Sequence, residues 1–266
     1  MRWRIVIDHL IATDIGGRGS EKLYILYKSK DPDYFSKSLD LLIKSDEVLI
    51  VSDFPIPPTM TPETDGPPGA LALALGLAEL GKKATILTQE IVKEGLRDFY
   101  PRITTKFPNI RKFSCLVSIE TPGRNFKGEY LSFSGLKISV RPYDDLFLRA
   151  LELGIPTIGI GDGGNEIGMG NLGLNDERFS VVRVNELIIA GVSNWGAYGL
   201  VAGLSMRVGQ NLLRDYNEED VVKSLVDVGL IDGITKKREP TVDGLPLSLH
   251  GKILELLIEI VNIKTP

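Results

Sequence analysis

The sequence predicts a three-layer α/β domain built on a mostly parallel open sheet with helices on both faces. Three observations carry that expectation. Short β-branched runs alternate with stretches of helical length from about residue 31 onward. Four polar, glycine-bearing loops each follow a strand-like run. No internal repeat or low-complexity linker interrupts the alternation. A length of 266 residues fits one domain over 1–266, and 43% hydrophobic residues are ample for its core.

The elements follow in order. Asp31 and Pro32 read as a cap and first turn, after which Phe35, Leu39, Leu42 and Ile43 fall on one helical face. "VLIVS" (48–52) reads as a buried strand, and "ALALALGLAEL" (70–80) as a helix closed by Gly81. Next come strand 84–88, a short helix over 91–97, strand "CLVSIE" (115–120) and a helix over 144–153 ended by Gly154. Strands are expected at "PTIGIG" (156–161) and "SVVRV" (180–184). The uncharged stretch from Leu187 to Met206 is long enough for a membrane span, but Ser193, Asn194 and its glycines favour a buried core helix. Two further helices are expected at 218–228 and 249–263.

Composition narrows the partners. The net charge of −4 with interspersed signs gives no basic field for nucleic acid or anionic lipid, which leaves a small molecule. Cys115 has no second cysteine to pair with, so it is expected as a buried strand residue in a reducing, cytoplasmic setting. His9 and His250 are too far apart in sequence to suggest a zinc site. The N-terminal apolar run is too short for a signal peptide and is broken by Asp8.

The odd residues cluster after strands. "ETDGPPG" (63–69), "ETPGR" (120–124), "GDGGNE" (161–166) and "AGVSNWG" (190–196) all lie beyond strand carboxyl ends. In an open parallel sheet those ends share one edge, where ligands bind. Gly159, Gly161 and Gly164 satisfy the dinucleotide pattern G-x-G-x-x-G, with Glu186 about where a ribose-binding acid belongs. Against that reading, Asp162 and Glu166 would repel a pyrophosphate, and the residues that follow are too rich in glycine for the crossover helix.

The same loop suits a cation. Asp162 and Glu166 can hold a divalent metal of the magnesium or manganese type, or a substrate ammonium. The amides of Gly163, Gly164 and Asn165 can face an oxygen gaining negative charge. Arg124 is a natural partner for a substrate carboxylate, or else a surface arginine paired with Glu120 or Glu129. Glu63 and Asp65 join the substrate-binding set, Asp65 doubling as the cap of the helix after it. Ser193 or Asn194 opens a helix whose free amides favour an anion, whereas Trp195 and Tyr198 read as core and Asp243 as a turn residue.

Taken together, "TDIGGRG" (13–19), "ETDGPPGALALA", "SIETPGR", "GDGGNEIGMG", "IAGVSNWGAYGL" and "VDGLP" resemble the C-terminal domain of the D-glutamate cyclase family. The resemblance covers almost the whole chain and implies conversion of D-glutamate to 5-oxo-D-proline. That reaction needs a base for the amine, a cation or acid for the γ-carboxylate and a clamp for the α-carboxylate. The expected roles are Arg124 for the α-carboxylate, Asp162 or Glu166 for the proton or ion, and the glycine turn for the oxyanion, with Asn165 and Asn194 as hydrogen-bonding reserves. Two other readings stay open: an amino-acid or metabolite binding module without turnover, and a nucleotide-dependent enzyme. The number of subunits stays open too, a homo-oligomer included.

Overall fold

The computed structural model describes residues 3–264. Its central sheet has six strands: β1 (Glu47–Val51), β2 (Lys83–Leu87), β3 (Ile103–Thr104), β4 (Cys115–Ile119), β5 (Thr157–Gly161) and β6 (Glu186–Ile189). They lie in the order β3-β2-β1-β4-β5-β6, and every neighbouring pair is parallel. Three helices precede the sheet, α1 (Trp3–Ile11), α2 (Ser20–Lys30) and α3 (Tyr34–Lys44). The crossovers use α4 (Pro67–Glu79) from β1 to β2, α5 (Glu90–Leu96) from β2 to β3 and α6 (Asp144–Glu152) from β4 to β5. After β6 come α7 (Ser193–Val208), α8 (Glu218–Val228) and α9 (Leu247–Lys264).

The crossover from β1 to β2 runs one way across the sheet and that from β4 to β5 runs the other. Right-handed connections therefore place α4 and α6 on opposite faces. Strand order reverses between β1 and β4, and the crevice beyond their carboxyl ends is where such a sheet takes ligands. The expected three-layer, Rossmann-like architecture is what the chain adopts. Helix α7 packs on α4 and also meets α1, α3 and α9, so it anchors its face of the sheet. That closeness needs glycine. A Cβ on Gly199 would come within 2.7 Å of Ile11, and one on Gly203 within 2.9 Å of Leu39.

Four expectations change. Residues 180–184 form no strand: Val182 accepts from the amides of Gly168 and Gly170, and Val184 exchanges hydrogen bonds with the side chain of Asn171. The sixth strand begins instead at Glu186, just before the uncharged stretch, which breaks at Gly191 and Val192 into the rest of that strand and a helix. Among the described residues no helix is long and apolar enough to cross a membrane. The chain before residue 31 holds two helices that the alternation did not foretell, and the two-residue edge strand β3 was too short to notice. Cys115 is fully buried in β4, where burial pushes its thiol up to about 12.

Candidate functional site

The site begins with two helix ends that cap one another. The Asp65 carboxylate accepts from the amides of Ser193 and Asn194 at the start of α7, both at 2.9 Å. The Asn194 side-chain oxygen accepts in return from Gly66 and Gly69 at the start of α4, at 2.9 and 2.8 Å. Asp65 was expected to cap the helix that follows it. It also accepts from Gly66, but its main partners belong to α7. The exchange fixes the loops after β1 and β6 against each other with every participant buried.

Between those loops lies a floor of acids. Glu120 follows β4 with φ at 43° and accepts a 2.6 Å hydrogen bond from the Ser193 hydroxyl. Asp162 follows β5 and pairs with Arg18. Arg18 also donates to Asp243 at 2.6 Å and to the Gly191 carbonyl at 3.1 Å. Its own turn is held by Asp14, which accepts from the Arg18 and Gly19 amides. Burial works against the charge on Arg18, but Asp162, Asp243, Asp65 and Glu120 outweigh it and keep the guanidinium charged. Burial, followed by neighbouring carboxylates, pushes Glu63 and Glu120 well above the usual carboxylate range. Asp65 rises to about 7 through burial and the charge of Asp162, opposed by the two α7 amides.

A cavity of about 200 Å³ opens over this floor. Its polar wall includes Glu63, Glu120, Asp162, Glu166, Asp243 and Arg18, and Phe54, Ile56, Phe133 and Ile234 supply its apolar part. A Cβ on Gly233 would strike the Glu63 carboxylate, so glycine there leaves that side chain its room.

Several expected residues are brought here and several are not. Asp162, Glu63, Gly163, Asn165 and Glu166 line the cavity. Arg124 does not. Its amide, Nε and Nη2 all bond Asp144 at the start of α6, at 3.0, 2.7 and 2.9 Å, and Asp145 takes a further contact. Its carboxylate partners are thus Asp144 and Asp145, not Glu120 or Glu129. The glycine turn is also spoken for. The Glu166 carboxylate accepts from the amides of Asp162, Gly163 and Gly164 at 3.1, 2.6 and 2.8 Å, so an oxyanion would find those donors taken. Burial and Asp162 push Glu166 up to about 7, the amides pulling the other way. Asn165 donates to the Leu131 carbonyl at 2.8 Å and so positions the loop across the cavity. Asn194 lies behind the floor as a cap.

The dinucleotide pattern fails on its surroundings. No α-helix lies between β5 and its neighbour β6, only a short 3₁₀ turn over Met169–Leu172, and Glu186 stands at the amino end of β6, away from the loops beyond the strand carboxyl ends.

Residues 7–258 match the family described as "D-glutamate cyclase-like, C-terminal". The chain belongs to this family. It is 30% identical over 322 aligned positions to a human protein named "D-glutamate cyclase, mitochondrial", an alignment that takes in 96% of this chain and 51% of the relative. The chain thus spans about half the length of that curated relative. Among solved structures, an exopolyphosphatase-related protein from Bacteroides fragilis aligns with a TM-score of 0.40 at 12% identity, over 88% of this chain and 57% of the other.

Within this D-glutamate cyclase-like domain, three site residues escaped sequence reasoning. Arg18 sits in "GGRG", a glycine-flanked arginine whose partners lie 144 and 225 positions away. Asp243 is the turn residue it was expected to be, with φ at 55°, and its carboxylate reaches the floor besides. Glu120 was visible only as a possible partner of Arg124. Carboxylate oxygens of Asp65, Glu120 and Asp162 lie within 4.8 Å of one another, all buried. Hard oxygen donors at that spacing fit a magnesium- or manganese-type ion. The expected metal pair was Asp162 and Glu166; only Asp162 belongs to this group, because Glu166 has turned to its own loop amides.

Proposed function

We propose that this domain binds D-glutamate and closes it to 5-oxo-D-proline, the α-amine bonding to the γ-carbonyl carbon while one γ-oxygen leaves as water. The observation that carries this reading is the buried acid floor of Glu63, Glu120, Asp162 and Asp243 at the switch point, balanced only in part by Arg18. Such a floor repels phosphates and draws an ammonium group. Carboxyls held above their usual range by burial, as Glu63 and Glu120 are, suit acceptance of the proton that the amine must lose. Phe54, Ile56 and Phe133 give the cavity an apolar wall beside the acids, which suits the methylene chain of the substrate.

Asp65, Glu120 and Asp162 would hold a divalent ion, which when bound would polarise a carboxyl oxygen as a Lewis acid. Arg18, turned inward, keeps Asp162 and Asp243 in place. The lone, buried cysteine supports a reducing, cytoplasmic-type setting as part of the reading.

The test is incubation of the purified chain with D-glutamate, with magnesium or manganese added or with a chelator. Chiral chromatography then measures 5-oxo-D-proline. Formation above the spontaneous rate, lost in Asp162→Asn, is expected. No product under any ionic condition would overturn the catalytic reading and leave a binding module in its place.

A further inference from the structure

We propose that Lys236 holds the substrate's α-carboxylate, the one charged group that takes no part in ring closure; the proposal rests on the cyclase reading above. The charged groups around the cavity are unequal. Glu63, Glu120, Asp162, Glu166 and Asp243 are acids, and Arg18 is already committed to Asp162, Asp243 and the Gly191 carbonyl. Lys236 is the other cation on the wall, and among the described residues its ammonium has no carboxylate within ion-pair distance. It is exposed, as a group at the mouth would be.

The loop that carries Lys236 is built rather than loose. Asp232, fully buried, accepts from the amides of Ile234 and Thr235, both at 2.8 Å. It also accepts from the Thr241 hydroxyl and the Gly244 amide, both at 2.7 Å. These bonds tie the loop to the hairpin that brings Asp243 to the floor. On its other side, Ile231 bridges to Glu63, and Thr64 donates to the Ile231 carbonyl at 2.9 Å. The Lys236 amide donates to the Asp232 carbonyl at 2.9 Å, and its backbone is held at φ 58°. A left-handed conformation at a residue other than glycine persists only where the surroundings impose it, and such positions gather at ligand clamps.

Reaction geometry then assigns the role. The amine must come within bonding reach of the γ-carbon, so amine and γ-carboxyl share one place. The acids draw the ammonium to the floor, and the γ-carboxyl goes with it. The α-carboxylate is left to point toward the mouth, where acids would repel it and Lys236 stands. Inversion at Cα exchanges that carboxylate with a hydrogen, so the same contact favours one enantiomer.

Lys236→Met and Lys236→Arg test this with two substrates, D-glutamate and its α-carboxamide analogue, which keeps the amine and the γ-carboxyl. The wild type is expected to prefer D-glutamate by ~10- to 100-fold in kcat/KM, the usual worth of a charge-assisted contact. Lys236→Met should lose that preference through KM for D-glutamate, leave the analogue within about twofold of wild type, and narrow the choice between D- and L-glutamate. Lys236→Arg should restore part of it. Equal losses on both substrates, or none on either, would overturn the role of Lys236 while the cyclase reading stands. A wild type that closes neither substrate would overturn both.

Discussion

Arg18→Met is the perturbation that tests the floor most directly. The arginine side chain is 14% exposed and its partners Asp162 and Asp243 are 4% and 3% exposed, so solvent screens the pairs little. Methionine keeps most of the stem and removes the charge. Deleting one member of a buried ion pair costs about 3–5 kcal/mol, because the partner is left charged without water. Here two aspartates lose their partner at once, and the Gly191 carbonyl loses a donor. At roughly 2–4 °C per kcal/mol for a domain near this size, the melting temperature should fall by about 10 °C at neutral pH.

Two controls separate charge from packing. The deficit should shrink as pH falls, because burial holds the abandoned Asp243 carboxyl above its usual range and it takes up a proton. Millimolar magnesium or manganese should also restore part of it, since an ion bound to the folded state alone stabilises by mass action. Urea unfolding at pH 5 and pH 8, with and without the ion, is the assay. A variant within about 0.5 kcal/mol of wild type at pH 8 would mean that the acids are neutral there, and that the site is not the cation-seeking floor described above.

Asn194→Ala removes the acceptor for two buried amides of α4 and should cost about 2–4 kcal/mol in urea unfolding with little change in slope; a loss under 0.5 would refute the exchanged caps. Glu218→Gln tests a buried acid away from the cavity. Burial raises Glu218 from the usual 4.5 to about 8, and His250 offers no proton because its Nδ1 already accepts from Trp195. The folded state therefore binds a proton that the unfolded state has released, so wild-type stability falls as pH rises from about 4.5 to about 8. About 3.5 pH units at about 1.4 kcal/mol each predict that the variant gains on the order of 5 kcal/mol over wild type between pH 4.5 and 9. Parallel pH profiles would refute it.

The layers of the fold were legible because parallel strands buried on both faces must read as short apolar runs, and "VLIV", "CLVSI" and "TIGIG" do. The misplaced sixth strand shows the limit. "SVVRV" has the composition of a strand, but its hydrogen bonds go to Gly168, Gly170 and Asn171, and only tertiary register decides between it and "ELII". Convergence of the loops at one edge followed from the alternation of strands and helices. Which side chains on those loops face inward did not. Arg124 and Arg18 both stand beside glycine, yet the first meets an aspartate 20 positions on and the second reaches across 144 and 225 positions. Pairing over such separations leaves no local periodicity to read.

The switch point of this sheet would ordinarily favour anions, for it gathers helix N-termini and glycine turns whose amides have no partner within their own element. In this chain the protein fills those amides itself. Asn194 takes the first amides of α4, Asp65 takes those of α7, and Glu166 takes three from the glycine turn. Two of these three internal ligands are carboxyl groups. A nucleotide phosphate arriving at the same edge would find its donors occupied and acids around them, which disfavours the nucleotide-dependent reading on two grounds at once. Filling the anion sites from within also leaves Glu63, Glu120, Asp162 and Asp243 among the groups that face the cavity, and on the cyclase reading that acid lining is what would draw an amine or a metal ion to a geometry otherwise suited to phosphate.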